Sequence, residues 1–197
     1  DFSGFERYDL KEYGEEIIRT VSKGTGIPVS MGIAPTKTLA KVANKFAKKY
    51  KGYKGVCIID TEEKRIEALK RTEIGDVWGI GYRHTKRLSV YGVSTAYDFS
   101  LMPRNWVRQQ MTVVGERTWK ELNWESCIDL ELVTPDKKQI CTSRAFGEAI
   151  SEIEGLEEAV SSYASICAGK LRKQRSCAQA LMVFIHTNNF REDLPQY

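Results

Sequence analysis

The residues of this chain best equipped for chemistry are four lysines on one predicted helix. Between Pro35 and Tyr50, a helical wheel puts Leu39, Val42, Ala43, Phe46 and Tyr50 on one side and Lys37, Lys41, Lys45 and Lys48 on the other. No Asp or Glu occurs between Pro35 and Cys57. Like charges four residues apart on a helix repel by a few tenths of a kcal/mol per pair, so a helix under no functional demand usually mixes signs. The plain alternative is a solvated lysine face. The preferred reading is a surface for an anionic partner, because each ammonium is a compact positive charge with three donors suited to phosphate.

A second stretch, Thr72–Phe99, has Gly79-Ile80-Gly81 at its centre, between two short helical patterns. Ile74, Val77 and Trp78 make one apolar turn before it; Thr85, Leu88 and Tyr91 follow at three-residue steps until Gly92 stops the helix. Both glycines permit positive φ and a close approach of backbone N–H groups to an anion. The second helix begins at the hairpin, where its unpaired amides and dipole favour phosphate. Arg83, Lys86 and Arg87 add positive charge. A Gly-Ile-Gly alone is an ordinary turn. Joined to Val77-Trp78 and a basic helix, it reads as a helix-hairpin-helix, which grips a DNA backbone without reading sequence.

Other chemistries are poorly provided for. Two histidines (His84 and His186) make a zinc site a weak reading. Five cysteines (Cys57, Cys127, Cys141, Cys167 and Cys177) are odd in number and lie mostly in apolar runs, as expected of reduced structural thiols in a cytoplasmic protein. No run spans a membrane and no signal peptide is visible, so no membrane partner is expected. The formal net charge of +4 decides little; its distribution matters more. The chain opens at Asp1 rather than methionine, and the natural start is expected upstream.

These residues need elements to position them. A helix is predicted over Tyr8–Lys23, a strand over Ile27–Ala34, and then the lysine helix from Pro35, a residue suited to the first helical position. A buried strand, Val56–Ile59, and a helix over Glu62–Lys70 follow, giving an α/β layer. Past the hairpin, Thr95 to Asp98 is a capping box. Pro103 starts another helix and Val113–Trp124 one more, so residues 72–124 read as all-helical. Trp78, Trp106, Trp119 and Trp124 are expected in its core rather than as stacking platforms. A polar linker ends in Thr134-Pro135-Asp136. Strands over Ile140–Ile150 and Ala178–Thr187 flank an amphipathic helix over Leu156–Lys173, with Leu156, Ala159, Val160, Tyr163, Cys167 and Leu171 inward. Lys137, Lys138, Arg144, Lys170, Arg172, Lys173 and Arg175 make this β-α-β unit basic.

Three segments together resemble the Y family of translesion DNA polymerases: Gly32-Ile-Ala-Pro-Thr-Lys-Thr-Leu-Ala-Lys41-Val-Ala-Asn44, Asp76-Val-Trp-Gly-Ile-Gly81 and Ser143-Arg-Ala-Phe-Gly-Glu148. They occur in that family's order, over essentially the whole chain. The second and third resemble its UmuC subgroup. The resemblance implies an α+β multi-domain fragment: the second half of a palm over 1–70, a helix-hairpin-helix thumb over 71–125, a linker over 126–136 and the first half of a little finger over 137–197.

It further implies that Lys41 lies near the primer end, that Lys48 reaches the incoming triphosphate and that Lys37 supports the same face. Gly79, Ile80, Gly81, Arg83 and Lys86 would hold duplex phosphates, and Arg144 would face the DNA from the little finger. In the family two Mg²⁺ ions are bound by an N-terminal aspartate and a Ser-(Ile/Val)-Asp-Glu motif. That motif would precede Asp1-Phe2-Ser3-Gly4, and Asp1, Asp60 and Asp76 do not match its ligands. The isolated chain is therefore expected to bind no metal, to hold DNA weakly and to polymerise nothing. The implied parent is a bacterial, cytoplasmic, error-prone polymerase of the SOS response. Its expected partners are primer-template DNA, a deoxynucleoside triphosphate, a UmuD′-like subunit and a sliding clamp. A non-catalytic helix-hairpin-helix DNA-binding module and a pure protein-interaction domain are the competing readings; the basic hairpin argues against the latter.

Overall fold

A computed structural model describes residues 2–5, 7–131, 133, 135–188, 190–191 and 193. Asp1 and Thr134, named above as a poor metal ligand and as part of the linker, lie outside the described residues, as does the end of the chain from 194 to 197. The chain divides into two compact units, Asp1–Leu130 and Glu131–Tyr197. It is mostly helical with a small sheet, an α+β arrangement.

The first unit is built on two parallel strands, β1 (Met31–Ile33) and β2 (Val56–Ile58). Met31 pairs with Val56, Gly32 with Cys57 and Ile33 with Ile58. Helix α1 (Leu10–Thr25) covers one face, where a Cβ at Gly14 would stand 3.0 Å from Val56 and 3.4 Å from Met31. Side chains alternate along a strand, so Gly32 and Cys57 face the other way, towards α2 (Lys37–Lys49). There a Cβ at Gly32 would fall 2.1 Å from the Ala40 carbonyl oxygen and from the Asn44 amide. Only glycine lets the α2 backbone rest on β1. A sheet covered on both faces reads as an apolar run, which explains Val56-Cys57-Ile58-Ile59.

Helix α2 starts at Lys37, two residues later than the proline suggested. Thr36, not Pro35, is the boundary residue, and its hydroxyl accepts from the Leu39 amide at 3.3 Å. A side-chain acceptor satisfies a first-turn donor, which proline in the first helical position cannot do. Helix α3 (Glu62–Lys70) is capped in the same manner by Thr61.

The rest of the first unit is helical: α4 (Tyr82–Val90), α5 (Ala96–Ser100) and α6 (Arg104–Leu122), the last interrupted at Thr112, where φ is 62°. The capping box at Thr95 is present, with Thr95 Oγ1 accepting from the Asp98 amide at 3.1 Å and Asp98 Oδ2 accepting from the Thr95 amide at 2.8 Å. One core runs through the unit, from Leu39, Phe46 and Leu69 to Ile80, Leu88, Phe99, Val107 and Leu122. Each such side chain contributes about 1.5–3 kcal/mol by burial. Trp106, Trp119 and Trp124 pack against this core, as expected.

In the second unit α7 (Ile153–Gln174) is the one regular element among the described residues. Its expected inward residues, Leu156 to Leu171, are half-buried. The β-α-β expectation is corrected: neither 140–150 nor 178–187 forms a strand. A strand exists only as one side of a ladder, and these segments do not pair with each other. Residues near 137–142 are held to α7 instead. The Gln174 side-chain amide exchanges two 3.0 Å hydrogen bonds with the Lys137 backbone, and Thr142 Oγ1 lies 3.1 Å from Lys170 Nζ. Leu181 to Ile185 are left exposed, Met182 by 84%.

Candidate nucleic-acid interface

Of the five lysines of α2, the four on its predicted basic face, Lys37, Lys41, Lys45 and Lys48, separate into two pairs. Lys37 Nζ donates to the Asp129 carbonyl at 2.5 Å, and Lys45 forms an ion pair with Asp76. Lys41 and Lys48 are exposed and have no ion-pair or hydrogen-bond partner among the described residues. They stand two turns apart on the same face. The repulsion implied by four like charges is thus relieved at two of them by groups from outside the helix. Lys48, in the last turn, also meets the negative end of the helix dipole.

The helix that carries them is fixed by polar contacts that the lysine pattern does not reveal. Glu121 on α6 is fully buried. Its Oε2 accepts from the Thr38 amide at 2.9 Å, and its Oε1 accepts from the amides of Cys127 at 3.0 Å and Ile128 at 3.2 Å. Thr36 Oγ1 donates to the Glu121 carbonyl at 2.7 Å. A carboxylate at the start of a helix satisfies an orphan donor and complements the dipole. In sequence Glu121 falls at helical spacing beside Met111, Gly115, Thr118 and Leu122, which the structure buries as one row of α6.

Arg65 on α3 closes the same, C-terminal end of α6. It is buried, and its Nη1 donates to the Leu122 carbonyl at 2.8 Å. Glu62 accepts from Arg65 Nε at 2.8 Å and from the Trp124 indole at 2.7 Å. These two donors, the arginine first, draw the Glu62 carboxyl down to about 2. Glu116, also buried, is held below the usual carboxylate range by hydrogen bonds from Arg104 and then Arg108, both at 2.6 Å.

The hairpin is built as a short 3₁₀ turn (Ile74–Asp76), a bend at Gly79 and the start of α4. Gly79 has φ +91°, and a Cβ there would also sit 3.0 Å from Thr118 Oγ1. Gly81 departs from expectation. Its φ is −86°, open to any residue, and a Cβ would meet nothing within 4 Å. Its value is empty space in front of the helix start. Gly81 is the boundary residue, no side chain caps α4, and the first helical bond runs from the Thr85 amide to the Gly81 carbonyl. The amides just before Thr85 therefore face outward without a helical acceptor. Ile80 is 4% exposed and its amide is committed to the Val77 carbonyl, so it anchors the loop.

Arg83 and Lys86 are exposed beside those amides, whereas Arg87 donates to the Gln110 carbonyl. From Val77 through Tyr97 the chain has no acidic residue. Trp78 corrects the core expectation: it is 47% exposed and outside the cluster that holds the other three tryptophans. The bend at Gly79 turns it out while Ile80 takes the inward position. Arg144 is exposed in the second unit.

Among the described residues no group of three or more His, Cys, Asp or Glu side chains could hold a metal ion. Asp60 pairs with Lys64 at 2.6 Å and Asp76 with Lys45. Mg²⁺, which takes carboxylate oxygens at octahedral positions, finds no ligand set in them. No helix among them is long and apolar enough to cross a membrane.

Comparison with known proteins adds a lineage to this geometry. The sequence model of the impB/mucB/samB family matches residues 1–45, and that of the same family's C-terminal domain matches residues 137–197. Protein UmuC of Salmonella typhimurium is 40% identical over 190 residues, which is 96% of this chain and 45% of that protein. Protein ImpB of Salmonella typhimurium is 37% identical over 187 residues, 94% of this chain and 44% of its own length. DNA polymerase IV 1 of Mesorhizobium japonicum is more distant, 24% identical over 196 residues, 97% of this chain and 43% of that protein. The chain thus spans about half the length of the curated relatives it matches.

Proposed function

The chain belongs to the impB/mucB/samB family, the UmuC-like group of Y-family DNA polymerases, and on that premise we propose that it supplies the DNA- and nucleotide-handling surfaces of an error-prone translesion polymerase that acts in repair of damaged DNA. In this reading residues 1–70 are the second half of the palm, 71–125 the thumb, 126–136 a linker and 137–197 the first half of the little finger. The observation that carries it is the uncapped start of α4 behind an open Gly81, in a stretch without acidic residues.

Backbone amides at such a helix start hold phosphate through geometry common to every nucleotide, so the grip slides over damaged and undamaged DNA alike. Arg83 and Lys86 add longer-range attraction. Lys41 and Lys48, exposed and unpaired among the described residues, attract the primer end and the incoming triphosphate, with Lys37 behind them. Arg144 adds a phosphate contact from the little finger. Mg²⁺ would supply charge neutralisation for phosphoryl transfer, on ligands that the described residues do not provide. A UmuD′-like subunit and a sliding clamp would be partners of the working polymerase in the bacterial cytoplasm.

The test is a titration of the chain with duplexes of unrelated sequence at fixed salt. Similar affinities for all of them, weakened together by Gly81→Val, support the reading. A strong preference for one sequence, or binding that Gly81→Val leaves unaltered, removes the hairpin as the DNA-backbone site.

A further inference from the structure

We infer that Trp78 and Tyr82 form an aromatic pair flanking the hairpin, and that they pack on the deoxyribose and base surface of the strand whose phosphate the hairpin holds. The inference rests on the reading of the hairpin as a DNA-backbone site and adds a non-ionic contact to it. The two side chains bracket Gly79, Ile80 and Gly81 in sequence, and they are 47% and 77% exposed. Between them Ile80 is buried and the two glycines carry no side chain. Across residues 78–82 the exposed side chains are therefore the two aromatic ones.

Single exposed hydrophobic residues are ordinary on protein surfaces. Two large aromatics on either side of one three-residue bend are less so, because each ring forfeits a large apolar burial by staying out. The remaining tryptophans of the chain take that burial. The charge around the pair selects the occupant. The stretch 77–97 has no carboxylate, Arg83 and Lys86 stand on the next turn, and Lys86 Nζ lies 5.6 Å from the Tyr82 ring centroid. An apolar protein partner would leave these cations and the open amides without acceptors. A nucleic-acid strand offers phosphate to the amides and cations and a sugar or base face to the rings.

Ionic and aromatic contributions separate by salt. Released counterions set the slope of log K against log salt, whereas ring packing adds an offset with no slope. Duplex binding by the whole chain is to be measured from low to high salt for Trp78→Ala, Tyr82→Ala, Trp78→Phe and Gly81→Val. Each alanine variant is expected to lose about fivefold to tenfold in affinity at every salt, the low end of what base–aromatic contacts contribute, with the slope unchanged. Trp78→Phe should keep most of the affinity. Alanine variants that bind like the parent overturn the inference, as does a loss that appears as a shallower slope. Should Trp78→Ala melt early by circular dichroism, Tyr82→Ala carries the test, since that side chain is largely in solvent. A weakened Gly81→Val beside unaltered alanine variants sinks the aromatic pair alone. If Gly81→Val also binds normally, the hairpin reading fails with it.

Discussion

The buried carboxylate of Glu121 on α6 accepts a hydrogen bond from the backbone amide of Thr38 at 2.9 Å, across 83 residues of sequence. That contact fixes the start of the lysine helix against the helical half of the unit. Arg65, donating to the Leu122 carbonyl from α3, holds the very next residue of the same end of α6. The face that carries Lys41 and Lys48 is thereby set relative to the helical half that carries the hairpin, through rigid elements rather than loops.

Glu121→Leu should destabilise the chain by about 3 kcal/mol, because the amides of Thr38, Cys127 and Ile128 lose their acceptor in a buried site. Urea unfolding followed by circular dichroism measures it. A loss under about 1 kcal/mol would show that water or a rearranged chain replaces the carboxylate.

Lys41→Gln and Lys48→Gln should each lower the salt slope of DNA binding by about 0.9 wherever the residue neutralises one phosphate. Helical content should stay unchanged, since both side chains are exposed. Lys45→Gln makes the contrast: its charge is already met by Asp76, so the slope should change less. Equal effects from all three would mean that the Lys45–Asp76 pair does not hold in solution.

The two hairpin glycines should respond differently to alanine. Gly79→Ala places a side chain at φ +91° and 3.0 Å from Thr118 Oγ1, and should cost about 1–2 kcal/mol of stability. Gly81→Ala should leave the melting temperature within a few degrees of the parent, because its φ is ordinary and the space around it is empty. Thermal melts of the two variants side by side decide it; the reverse order would contradict the loop geometry.

Acid sensitivity should depend on Glu62. Its folded-state pKa lies at about 2, below the ordinary value of 4.5. A depressed carboxylate pKa contributes stability that is present above the unfolded value and lost as pH falls towards the folded one. Between about pH 4.5 and 2 the parent should therefore lose melting temperature more steeply than Glu62→Gln, which keeps one acceptor for Trp124 or Arg65 but has no proton to bind. Parallel curves for the two proteins over that window would show that the Arg65 pair contributes nothing to acid stability.

Much of the local structure was legible in the sequence. The bounds of α3, the capping box at Thr95, the opposite faces of α2, the break near Thr112 and the positive φ at Gly79 are all written in neighbouring residues. Each depends on side chains or backbone within about one helical turn. The apolar stripe of α7 is legible for the same reason, even where no sheet covers it.

What needed the tertiary structure was every property set by a distant partner. Lys37 and Lys41 look alike on a helical wheel, and only the return of the chain at Asp129 separates them, across 92 residues. Glu121 reads as a surface charge until the fold delivers three backbone donors to it. Trp78 is as apolar as the other tryptophans, yet the bend at Gly79 decides that Ile80, not Trp78, faces the core. The strands expected at 140–150 and 178–187 are the sharpest case. A helix satisfies its own backbone within four residues, whereas a strand must borrow its hydrogen-bond partners from elsewhere, so apolar pattern alone determines where a strand could form and pairing determines whether it does.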